Sequence, residues 1–76
     1  MIEGSLRKNS NGRWEVQDLE LTSGHPLTIL IDGHWINGSI ESSSNRYYWF
    51  SRSSGVSVIL QPGLRVRAQE ARFTIF

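Results

Sequence analysis

Leu27-Thr28-Ile29-Leu30-Ile31, then Asp32-Gly33, then His34-Trp35-Ile36-Asn37-Gly38-Ser39-Ile40 and, past a serine loop, Tyr47-Tyr48-Trp49-Phe50 is the stretch that decides the fold. Apolar residues alternate on both sides of Asp32-Gly33, the strongest short-range signal for a hairpin. Both central residues of such a turn need positive φ, which Gly adopts freely and Asp tolerates. The stretch therefore reads as three consecutive antiparallel strands. Leu27, Ile29 and Ile31 share one face, and across the turn so do Ile36, Gly38 and Ile40. That face is expected to be buried, because the opposite one carries Asn37, Ser39 and Glu41; Trp35 then lies outward or at a rim. Gly38 inside a strand suggests a sharp bend or a bulge. Alternation puts Tyr48 with Phe50 and Tyr47 with Trp49 on opposite faces, and periodicity does not choose the inner pair. One aromatic pair points outward in either case.

Upstream, Ile2, Gly4 and Leu6 alternate with Glu3, Ser5 and Arg7, a first strand over 2–8. Asn9-Ser10-Asn11-Gly12 is a turn, and Arg13 to Gln17 completes a hairpin with Trp14 and Val16 inward. Leu19-Glu20-Leu21 is too short for a helix before Ser23-Gly24-His25-Pro26 breaks the chain. Downstream, Val56, Val58 and Leu60 alternate with Ser57 and Ile59. Gln61-Pro62-Gly63 reads as one turn of 3₁₀ helix, after which Leu64 and Val66 point in and Arg65 and Arg67 point out. Phe73-Thr74-Ile75-Phe76 is strongly apolar for a terminus, and is expected to dock on the sheet or to pair with another chain.

A single domain of 76 residues buries only about 60% of its unfolded surface, so its core is marginal. Without cysteine it has neither disulfides nor thiolate metal sites, and its stabilising bulk is three Trp, three Phe and two Tyr. The N-terminal residues lack a basic and an apolar signal region, and no apolar run reaches the roughly 18 residues of a membrane span. A cytoplasmic protein with no membrane contact is expected. The net charge of +1 hides an uneven layout. Before residue 42, Arg7, Lys8 and Arg13 face six acidic side chains; after it, Arg46, Arg52, Arg65, Arg67 and Arg72 face Glu70 alone. Guanidinium suits flat contact with phosphate or carboxylate and stacks on rings, which points to an anionic or aromatic partner.

The order of hairpin, Leu21-Thr22-Ser23-Gly24-His25-Pro26-Leu27, Asp32-Gly33-His34-Trp35, Ile40-Glu41, Tyr47-Tyr48-Trp49 and Leu60-Gln61-Pro62-Gly63-Leu64-Arg65-Val66-Arg67 resembles an SH3-like, Tudor-like barrel of the bacterial kind. It is similar to a family of small bacterial domains of unknown function, over roughly residues 12 to 67. The resemblance implies a fold and no activity. His25 stands where related sequences tend to carry an acidic residue. One SH3-like barrel that is an enzyme, the plasmid-borne type II dihydrofolate reductase, has a Val-Gln-Ile-Tyr stretch where this chain reads Val56-Ser57-Val58-Ile59-Leu60.

No phosphate loop, His-Glu-x-x-His motif or cysteine nucleophile is present. Neither catalysis, a cofactor nor a metal is expected, since His25 and His34 lack further ligands. The expected fold is all-β, a small SH3-like barrel of five to seven short antiparallel strands over residues 1–67, followed by the apolar tail 68–76; an OB-like barrel is the alternative. The expected function is that of a binding module. Its candidate ligand residues are Trp35, Tyr47, Trp49, Arg46, Arg52, Arg65 and Arg67, with nucleic acid ahead of a peptide as partner. The alternative is an assembly subunit that pairs, with a copy of itself or another protein, through an edge strand or the C-terminal tail.

Overall fold

Asp32 and Gly33 take φ of 51° and 80° and join Ile31 to His34 as a two-residue hairpin turn, in a computed structural model that describes residues 1–44 and 46–69. The described chain is all strand and turn: β1 (Ile2–Lys8), β2 (Trp14–Val16), β3 (Leu19–Glu20), β4 (Pro26–Ile31), β5 (His34–Ser43), β6 (Arg46–Ser51), β7 (Val56–Ile59) and β8 (Arg65–Ala68). They form one antiparallel sheet in the order β3-β2-β1-β8-β4-β5-β6-β7. Eight strands replace the five to seven expected.

The sheet curls around a single core without closing into the expected barrel. One apolar cluster takes Leu6 from β1, Trp14 from β2, Ile29 from β4, Trp49 from β6 and Val66 from β8. Yet β3 and β7 end the strand order unpaired with each other. The physical reason lies in β3, whose two residues offer almost no ladder, and one of them is the charged Glu20.

The isoleucine face is the inner one: Leu27, Ile29 and Ile40 are buried, and Ile31 and Ile36 pack against them. Pairing with β4 runs in register through Gly38, so the bulges lie elsewhere, at two other places. Gly24 N–H donates to Ile40 O (2.7 Å) and Ile40 N–H to His25 O (2.9 Å), so two residues oppose one. Gly63 N–H donates to Leu6 O (2.8 Å) and Leu6 N–H to Leu64 O (2.7 Å) in the same pattern. Both glycines sit at φ near +90° (89° and 97°), as a bulge whose first residue is a left-handed glycine requires. The Gln61–Leu64 segment is consequently a four-residue turn, closed by Leu64 N–H to Gln61 O (3.5 Å), and not the expected 3₁₀ turn, whose residues all need negative φ where Gly63 has 97°. These bulges lead the chain into β4 and β8, which then pair with each other.

Ala68 closes β8 and is buried, so it belongs to the sheet; the expected role of the tail falls on residues 70–76, outside those described.

Candidate nucleic-acid interface

The site begins with β6, where the sequence left both faces open. Trp49 is 0% exposed and its indole Nε1 donates to Leu27 O at 2.7 Å. Tyr47 shares that inner face and packs against the core. The choice is made by Gly38. A Cβ there would stand 2.5 Å from Phe50 O and 2.5 Å from the indole Cε2, so only glycine lets the large ring lie across β5. Trp49, expected as a ligand residue, is thereby the centre of the core, and Tyr47 is largely withdrawn into it.

The outward residues of β6 are Arg46, Tyr48 and Phe50. They stand opposite Ser43, Glu41 and Ser39 of β5, and Tyr48 and Phe50 also stand opposite Ile59 and Ser57 of β7. Residues two apart on a strand repeat at about 6.8 Å, so one cation and two rings are evenly spaced along a single strand. Among the described residues Glu41 is the carboxylate paired across from this stripe, and it accepts a hydrogen bond from Ser39 Oγ at 2.7 Å. Sequence reasoning placed one aromatic pair outside but lacked the packing around Gly38 that identifies it.

Trp35 lies on the outer face, as expected, but it is capped. The Arg67 guanidinium sits 3.9 Å from the centre of its ring. Arg67 Nε also donates to Glu3 Oε1 at 3.0 Å, and Arg65 reaches Glu3 Oε2 at 3.5 Å. The hydrogen bond from Arg67 leads the effects that hold the Glu3 carboxyl below its ordinary range; partial desolvation opposes it, and the charges of Arg67 and Arg65 assist. Two of the expected arginines therefore share one carboxylate, which leaves the trio a net charge of +1. Arg52 lies apart from both groups, exposed in the turn between β6 and β7.

A pH dependence follows from the lowered Glu3 carboxyl. Its stabilising contribution is present above the ordinary carboxylate range and is lost as pH falls through the lowered value. Wild type is expected to be slightly more stable than Glu3→Gln near neutrality, with the gap closing below about pH 4. Urea midpoints of both proteins across that range measure it; a gap independent of pH would contradict the assignment.

At the end of β6 that carries Arg46, an open cleft of about 1000 Å³ lies between the β1–β2 hairpin and the β6–β7 side of the curled sheet. Lys8 and Trp14 line one side, Ser42 to Ser44 with Arg46 and Tyr47 the other, and Ser57 to Leu60 run along it. Lys8 and Trp14 are cross-strand partners, and the ammonium stands 5.2 Å from the ring centre. Both escaped the sequence reading, which assigned Trp14 to the core, where it largely is. The pairing of Lys8 with Trp14 was available from the Asn9–Gly12 turn, but the cleft was not, since its other wall begins only at Ser42, far along the chain.

Residues 4–68 match the model of a domain of unknown function, DUF5348, and the chain belongs to that family. No curated protein and no solved structure matches it.

Proposed function

We propose that this chain is a non-catalytic binding module that takes single-stranded nucleic acid along the outer face of β6. The observation that carries the reading is the Arg46, Tyr48, Phe50 stripe: a guanidinium for phosphate, then two rings for bases, on one rigid strand. Stacking on such rings tolerates any base and contributes about 1–3 kcal/mol for each. Arg46 and Lys8 have no carboxylate within 4 Å among the described residues, so their charge is available to phosphate.

Titration of a labelled oligo-dT or oligo-U strand at several salt concentrations tests the reading. Tyr48→Ala and Phe50→Ala should each weaken binding by about 1–3 kcal/mol. Arg46→Gln should make the log–log salt slope shallower by about 0.7. Glu41→Gln should tighten binding, because it removes the carboxylate beside Tyr48. Absence of saturable binding at low salt, or full binding by folded Tyr48→Ala and Phe50→Ala proteins, would dismiss it.

A further inference from the structure

The two rims of the open sheet are protected unequally. The β3 rim is two residues long, follows Asp18 and carries Glu20. The β7 rim, Val56-Ser57-Val58-Ile59, lies within a run from 53 to 64 that has no charged residue, and the strand itself has no proline. Ile59 is 63% exposed and Val56 36%. Charge, proline and shortness are the devices that keep an edge from pairing, and β7 uses none of them beyond modest length. The cleft runs along this edge, and the only charged side chains among its described lining residues are Lys8 and Arg46.

We infer that the β7 edge is a docking site for an extended acidic segment of a partner protein, which adds as a strand in the cleft and extends the sheet toward the β1–β2 hairpin. Backbone groups of β7 supply the hydrogen bonds, and alternate side chains of the added strand fall on opposite faces. Carboxylates on the segment meet Lys8 and Arg46 at the two walls. A second copy of this chain fits less well, because its β7 edge is accompanied by the same two cations and would set them against their counterparts. The ring stripe of β6 overlaps the cleft at Arg46 and Tyr48, and Phe50 is its member outside the cleft.

The test uses the full chain with a short synthetic peptide alternating valine and glutamate, and a second in which lysine replaces glutamate. The glutamate peptide should bind saturably, and amide exchange over residues 56–60 should slow by about tenfold or more when it does. Ile59→Glu and Lys8→Glu, both at exposed positions, should each weaken it about tenfold, the first by placing a like charge on the edge. Equal binding of the lysine peptide, or binding without added protection at 56–60, would overturn the inference. So would competition showing that oligo-dT fills the cleft and protects the same amides. Loss of oligonucleotide binding in Phe50→Ala bears on the β6 stripe alone, so the two readings fail separately.

Discussion

Gly38→Ala should cost about 3 kcal/mol or more, out of a total stability of about 4–11 kcal/mol for a chain of this length. The added methyl group would overlap the Phe50 carbonyl oxygen and two indole carbons of Trp49, all at 2.5–2.6 Å. Neither neighbour can yield cheaply. Phe50 is fixed by its pairing with Ser39, and the indole is fully buried and tied to Leu27 O. Gly33 provides the comparison, because a methyl group added there meets nothing within 4 Å although φ is +80°. Its alanine variant should lose only about 1 kcal/mol. Trp49→Leu in the Gly38→Ala background should recover part of the loss, since it removes the ring contact and leaves the carbonyl contact. Urea denaturation followed by circular dichroism measures all four proteins. A Gly38→Ala midpoint close to wild type would mean that the indole does not lie across β5.

Val66→Asp should leave the whole chain unfolded, because β8 is the strand that joins the two halves of the sheet. Val66 is 0% exposed and stands between Gly4 of β1 and Ile29 of β4. In the strand order, β3-β2-β1 lies on one side of β8 and β4-β5-β6-β7 on the other. An unpaired carboxylate at that point costs several kcal/mol, comparable with the entire stability. Because Trp14 and Trp49 lie in one cluster on opposite sides of this junction, their fluorescence changes should coincide. Val66→Ala, which removes two methyl groups and adds no charge, should remain folded with a lower urea midpoint. Survival of the β4–β7 part with Trp49 still shielded, while Trp14 becomes exposed, would show two separable units.

The contrast between Gly38 and Val66 explains where the candidate site could be read in the chain and where it could not. Alternation is a local property, so the hairpin at Asp32-Gly33, the inner isoleucines and the outward Trp35, Arg65 and Arg67 were legible from neighbouring residues. The inner face of β6 was not. Its four consecutive aromatics satisfy either orientation, and the decision rests on a glycine about ten residues away whose missing side chain makes room for Trp49. Arginine pairing was equally hidden, since Glu3 lies more than sixty residues from the two arginines it holds.

By itself the sequence determined an all-β chain, the Asp32-Gly33 turn and the inward side of the two strands it joins, because these depend on φ preferences and two-residue periodicity. The tertiary structure decided that the sheet stays open, that Tyr48 and Phe50 rather than Tyr47 and Trp49 look outward, and which cations among the described residues lack a carboxylate partner. Those outcomes depend on volume and charge brought together from distant positions, and no local pattern encodes them.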